Sequence, residues 1–248
     1  MSLQERRELN PKESELQIYG FFDIDDTLTE GNTTVFFSKF LFESGDISDA
    51  SWFKISSDIE TYRESSRDEN SYFNFANDIL NHLAESLKGT SVDYIGKKAE
   101  DFFNLAISGK IDGYKICDFS KDLVKRIKKK GIAIAISGSP EEILAPIVKY
   151  LTFDGAKATV FEKRDGYFTG KVVRNLAVDA EKKAVISKYL ENTRILESYA
   201  FGDSTHDIPL LEAVGNSFVL GNNPNLQNIA IQKGWTVCKN GEGILEII

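Results

Sequence analysis

The sequence predicts an α/β fold: a doubly wound, Rossmann-like parallel sheet carrying an inserted helical cap. Three observations predict it. Short apolar runs end abruptly at polar or glycine residues, helical patterns lie between those runs, and one long stretch keeps helical periodicity without any strand pattern.

The first run, Ile18-Tyr19-Gly20-Phe21-Phe22, stops at Asp23, as a buried strand does when its carboxyl end opens onto a polar site. Similar runs are Ile132 to Ile136 ending at Ser137, Tyr199-Ala200-Phe201 ending at Gly202-Asp203, and Ser217 to Leu220 ending at Gly221. Ahead of the second run, Phe119, Leu123 and Ile127 repeat at helical spacing. Asp118 or Ser120 is the expected cap, and Lys128-Lys129-Lys130-Gly131 supplies a basic last turn and a terminating glycine. From about Thr33 to Lys115 the apolar positions follow helical spacing, as in Tyr72, Phe75, Ile79, Leu83 and Leu87, then Ile95, Ala99, Phe102 and Ala106. Alternating apolar residues around Arg164-Asp165-Gly166 predict a hairpin. The expected division is a core of 15–31 plus 116–248, a helical cap of 32–115, and a polar arm of 1–14 containing Pro11.

A chain of 248 residues, 42% hydrophobic and 27% charged, has the composition of an ordinary globular protein. Its formal net charge of -8 disfavours long-range attraction to nucleic acid or to anionic lipid. Cys117 and Cys238 lack CxxC spacing and read as reduced thiols. With no leader pattern and no long apolar run, the expected location is the cytoplasm, with neither nucleic acid nor membrane as partner.

The densest chemical constellation is Asp23-Ile24-Asp25-Asp26-Thr27, directly after the first run. Asp23 and Asp25 leave the strand at alternate positions and can converge. Carboxylates so close repel unless a cation neutralises them, and Mg2+ suits one or two carboxylates together with substrate phosphate oxygens. An acidic turn is the plainer alternative. A helix-loop-helix calcium site fits worse, because its sixth and twelfth positions would need glycine and glutamate where this chain has Leu28 and Thr34. Ser137 could equally cap the helix after Pro140, Lys182 could be a solvated helix residue, and Asp203 and Asp207 could be loop and capping residues.

The segment from Asp23 resembles the first motif of the haloacid dehalogenase superfamily, in its phosphoserine-phosphatase-like branch. Ile134 to Pro140 resembles the second motif, Lys182 the third, and Tyr199 to Leu211, with an intact GDSxxD core, the fourth. Asp165 to Gly170 and Asn222-Asn223-Pro224 with Gly234-Trp235 also resemble segments of this branch. The four motifs occur in the required order, each where a strand ends or a helix begins, which is where open α/β sheets bind ligands.

The resemblance implies a Mg2+-dependent phosphoric monoester hydrolase acting on a small phosphorylated metabolite. By resemblance, Asp23 is the nucleophile and Asp25 the general acid and base. Ser137, Gly138 and Lys182 bind the phosphoryl group. Asp23, Asp203 and the backbone carbonyl of Asp25 hold the metal, with Asp207 and Ser204 supporting them from behind. Asn32 stands where phosphoserine phosphatases carry a glutamate for the substrate ammonium, so it marks selectivity; Arg63 and Arg67 are candidates for binding a substrate carboxylate. His82 and His206 are expected to be a surface or packing residue and a loop residue. Val35 to Leu41 could be cap interior or pocket lining. Transfer of the phosphoryl group to an alcohol, and a non-catalytic phospho-ligand binder, are the two rival readings.

Overall fold

The computed structural model describes residues 16–65, 69–177, 179–191 and 193–248. The expected arm at 1–14 and the candidate Arg67 lie outside the described residues.

The apolar runs form the middle of a seven-stranded sheet. In chain order its strands are β1 (Tyr19–Phe22), β4 (Ile132–Pro140), β5 (Gly155–Arg164), β6 (Tyr167–Arg174), β7 (Tyr199–Gly202), β8 (Asn216–Val219) and β9 (Thr236–Val237). They lie in the order β6-β5-β4-β1-β7-β8-β9, and every pair is parallel except the β5–β6 hairpin. The hairpin turns at Asp165 and Gly166, both in the left-handed region at φ 52° and 83°, as an Asp-Gly turn of this kind requires.

Because side chains alternate across a strand, consecutive residues of β1 serve opposite faces. Phe22 stacks on Phe201 with ring centroids 4.4 Å apart, and Phe201 on Phe218 at 5.1 Å, a ladder across three strands in register. On that face lie α5 (Ser120–Lys128), α6 (Glu141–Leu151) and α10 (Ile244–Ile247), through Leu123, Ile127, Leu144, Ile147 and Ile244. Phe21 faces the other side with Ile134, Ala200 and Val219. There α7 (Asp179–Leu190), α8 (Ile208–Leu211) and α9 (Pro224–Lys233) cover it. Both faces of the parallel sheet are therefore buried by helices. Ser120 does not cap α5; it is buried and its Oγ donates to the Leu28 carbonyl at 2.8 Å, tying the helix to the loop after β1.

Between β1 and β4 the chain forms α1 (Thr33–Glu43), α2 (Asp49–Glu64), α3 (Glu69–Ser86) and α4 (Val92–Ile107). A two-stranded antiparallel ribbon, β2 (Thr29–Glu30) with β3 (Lys115–Ile116), joins the chain entering this block to the chain leaving it. Gly31 follows at φ 90°, where a Cβ would come within 2.7 Å of the Phe36 ring. The ambiguous 35–41 segment divides by helical face: Phe37 and Leu41 are fully buried among Ile55, Leu83, Ile95 and Phe102, while Val35 and Phe36 line a cavity.

The helical block does not close its interior alone. Phe161 of β5 and Phe168 of β6 belong to the same apolar cluster as Leu83, Leu87 and Ile95. The loop between α3 and α4 also joins the hairpin through its backbone: Gly89 N–H donates to Phe168 O at 2.8 Å, Phe168 N–H to Thr90 O at 3.0 Å and Val92 N–H to Gly166 O at 2.9 Å.

Candidate active site

The strand order reverses at β1, with β4 on one side and β7 on the other, and ligands bind at such a switch point beyond the carboxyl ends of the strands. Asp23 follows β1, Ser137 lies in the last part of β4, and Asp203 follows β7.

Lys182, on the first turn of α7, is buried between two carboxylates. Its Nζ donates to Asp23 Oδ1 at 2.8 Å and to Asp207 Oδ1 at 2.7 Å. Burial lowers the lysine's proton affinity, but Asp207 and Asp23 more than offset this and hold it well above the usual lysine range. Lys183 points to the exposed side of the same helix. The Asp23 carboxyl is raised well above the usual range, chiefly by burial and then by Asp207, with Lys182 pulling the other way.

The fourth motif is folded by its own aspartate. Asp207 Oδ2 accepts the backbone N–H groups of Asp203 and Ser204, each at 3.1 Å, and the Ser204 hydroxyl at 3.2 Å. Its other oxygen holds Lys182, so both oxygens of Asp207 are engaged by protein donors. Gly202 allows this close turn: a Cβ there would lie 2.5 Å from the Asp207 Cβ. Asp203 Oδ1 accepts from Thr27 Oγ1 at 3.0 Å. Burial, then the charges of Asp207 and Asp23, raise the Asp203 carboxyl well above its usual range.

Oxygens of Asp23, Asp203 and Asp207 lie within 4.8 Å of one another. An all-oxygen, strongly anionic cluster compensated among the described residues by Lys182 is the donor chemistry a hard divalent cation requires. The residues present therefore fit Mg2+, and Asp207, saturated by hydrogen bonds, fits a supporting position behind Asp23 and Asp203.

Asp25 is held from two sides. Its Oδ1 accepts the Thr33 N–H at 2.7 Å, at the start of α1, and its Oδ2 accepts the Ser139 hydroxyl at 2.7 Å. Ser137 lies further from the same oxygen, at 3.4 Å, and accepts the Ser139 N–H at 3.1 Å. Ser137 does not cap α6, whose N-cap position is Pro140. Gly138 faces the cavity and packs so closely on Ala177 that a Cβ would meet the Ala177 Cβ at 2.8 Å.

These groups form the floor of a cavity of about 610 Å³ whose opposite wall comes from α1, α2 and α3. Asn32 and Arg63 line it, but Asn32 is already employed as the N-cap of α1, its Oδ1 accepting the Val35 N–H at 3.1 Å. His82 makes a hydrogen bond with Asp58 within the helical block, Nδ1 to Oδ2 at 2.6 Å.

Sequence reading missed Ser139, Thr33, Tyr72 and His206. Tyr72 registers in sequence only as one apolar position of a helical stripe, yet its ring reaches His206 on the core. Burial raises its phenol above the usual range, with the carboxylates of Asp23, Asp207 and Asp25 adding to that effect and Lys182 opposing it. His206 is a buried lining residue whose Nδ1–H donates to Asp179 Oδ1 at 2.9 Å, and not merely a loop residue. Its place inside the fourth motif was the available signal.

A family model for haloacid dehalogenase-like hydrolases matches residues 21–212. The chain belongs to this family. A phosphoserine phosphatase of Mycobacterium tuberculosis is 25% identical over 236 residues, spanning 90% of this chain and 71% of that one. A probable phosphatase of the same species is 27% identical over 219 residues, covering 88% and 73%. Among solved structures, a protein of unknown function from Bordetella pertussis superposes with a TM-score of 0.71 at 22% identity, covering 91% of this chain and 99% of that chain. A phospho-aspartyl intermediate analogue of phosphoserine phosphatase gives 0.62 at 18% identity, covering 94% and 99%. This chain is thus a haloacid dehalogenase-like hydrolase, and the relatives it resembles are described as phosphatases. Among its described residues no helix is long and apolar enough to cross a membrane.

Proposed function

We propose that the chain hydrolyses a small phosphate monoester in a Mg2+-dependent reaction, through an aspartyl phosphate formed on Asp23. The observation that carries this reading is Lys182 fixed between Asp23 and Asp207, beside Asp203, at the strand ends.

In the first step a carboxylate oxygen of Asp23 attacks phosphorus in line and the bond from phosphorus to the ester oxygen breaks. Asp25 gives its proton to the departing alkoxide. In the second step water attacks the phosphorus, Asp25 takes a water proton, and the bond to Asp23 breaks to release phosphate. Lys182, Ser137 and the Gly138 backbone hold the transferred group and offset its charge. Asp23, Asp203 and the backbone carbonyl of Asp25 would hold Mg2+, which supplies positive charge against the phosphate oxygens. Asp207 and Ser204 orient this set. The ribbon formed by β2 and β3 supports a division into a core of 15–31 plus 116–248 and a cap of 32–115 that shields the reacting atoms from bulk water.

The test is Mg2+-dependent phosphate release from a panel of monoesters by purified wild type and Asp23→Asn. Loss of turnover in a folded Asp23→Asn protein is expected; near wild-type release by that variant overturns the reading.

A further inference from the structure

We propose that the cap side of the cavity is a binding site for an uncharged, apolar alcohol portion of the substrate, so that the preferred monoesters are hydrocarbon phosphates, with L-phosphoserine a poor substrate. This rests on the phosphomonoesterase reading above and names its substrate class.

The cavity has two chemically distinct halves. Its ionisable floor is supplied by the core, through Asp23, Asp25, Asp26, Lys182 and Asp203. The facing wall is mainly apolar, with Val35 and Phe36 from α1, Ile59 from α2, and Phe75, Ile79 and Leu80 from α3, interrupted by Thr34, Tyr62, Arg63 and Tyr72. Ile59, Ile79 and Leu80 are buried, and Phe75 is fixed by stacking on Tyr62 at 4.6 Å between centroids. Among the described lining residues the only charged group on the cap side is Arg63, and it is exposed.

An α-amino acid head brings an ammonium that needs an anionic partner once removed from water, because an unpaired buried charge is strongly penalised. No described carboxylate on the cap wall lines this cavity. Asn32 offers no negative charge, its oxygen already accepts the Val35 N–H, and its NH2 is a donor. The floor carboxylates are engaged by Lys182, by the Thr27 and Ser139 hydroxyls and by the Thr33 and Gly31 N–H groups. A hydrocarbon group against Val35, Phe36, Ile59, Phe75, Ile79 and Leu80 gains from each methylene removed from water.

The experiment measures kcat/KM with Mg2+ for ethyl, propyl, butyl and phenyl phosphate and for L-phosphoserine, in wild type and Phe75→Ala. The expected result is a rise of roughly 4-fold per methylene through the alkyl series, phenyl phosphate at least tenfold above L-phosphoserine, and a shallower chain-length slope in Phe75→Ala. The slope is a ratio within one variant, so a change in the fraction folded cancels. A flat alkyl series, or L-phosphoserine matching butyl phosphate, overturns the proposal. If no monoester is hydrolysed, the phosphatase reading fails, and calorimetric binding of ethyl to butyl phosphonate decides the subsite by itself: tightening with chain length upholds it and constant affinity overturns it.

Discussion

Tyr72 lies nearly flat against the imidazole of His206, with ring centroids 3.8 Å apart and planes 16° from parallel. One ring belongs to α3 of the helical block and the other to the segment that carries Asp203 and Asp207, so the block touches the floor of the cavity directly. Asp179 anchors the far side of the imidazole.

Removing that stack should loosen the floor. Aromatic pairs contribute about 0.5–1.5 kcal/mol beyond simple burial, so Tyr72→Phe, which keeps the ring, should stay within about threefold of wild type in kcat/KM. Tyr72→Ala should fall further, by up to about tenfold. Steady-state kinetics on both variants checks this, and equal losses would mean the hydroxyl matters more than the stack.

Adjacent lysines should behave differently. Lys182 is buried against Asp23 and Asp207, whereas Lys183 is exposed. Losing a charged contact to the transferring group in a water-excluded site costs about 2.7–4 kcal/mol by analogy with an oxyanion donor, so Lys182→Ala should lose at least ~100-fold in rate. Lys183→Ala should change little, and the reverse pattern would overturn the assignment.

The carboxylate cluster should make Mg2+ binding visible in thermal stability. Asp23 and Asp203 carry raised pKa values, from burial and from neighbouring carboxylates. A carboxyl whose folded pKa exceeds its unfolded value takes up protons more readily in the native state. Its unfavourable contribution at neutral pH therefore diminishes as pH falls through the folded pKa toward the unfolded value, about 4. Protons also compete with the cation, so the Mg2+-induced rise in Tm should be larger at about pH 7.5 than at about pH 5.5. Asp203→Asn should raise the metal-free Tm and abolish the Mg2+-induced rise. Differential scanning calorimetry measures both, and a Mg2+ effect independent of pH would contradict the cluster as its site.

At the entrance to α1, Asn32→Glu exchanges a good N-cap for a poor one, at a cost of about 1 kcal/mol. It also adds to the cavity the carboxylate that an ammonium would need, and a charge-assisted hydrogen bond is roughly twice as strong as a neutral one. L-phosphoserine should therefore be used poorly by wild type and better by Asn32→Glu, relative to butyl phosphate, in kcat/KM. A tenfold wild-type preference for L-phosphoserine would show that another group binds the ammonium.

Much of the core was legible because its signals are local. The strand ends at Phe22 and Gly202 and the Asp-Gly turn at Asp165 each follow from a few consecutive residues. The grip on Asp25 was not legible in this way. Ser139 reaches it across 114 positions and Thr33 across eight, and neither contact leaves a periodic trace. Tyr72 was hidden for a related reason, since a phenol within an apolar stripe reads as packing until the fold brings His206 beneath it. Ser120 misled in the opposite direction: a hydroxyl at a helix start implies a cap, but burial against the loop after β1 gave it the Leu28 carbonyl instead.

The backbone pairing of the α3–α4 loop with the β5–β6 hairpin constrains how such a module can be exchanged between proteins. Residues 33–107 transplanted alone would leave Phe161 and Phe168 behind, and with them part of the apolar interior that encloses Leu83, Leu87 and Ile95. The graft would also carry unpaired N–H groups at Gly89 and Val92. The apolar interior is therefore discontinuous in sequence, drawing on the four helices, on 155–174 and on Tyr114, Ile143 and Ala177, and a chimera that omits any of these would inherit an open seam.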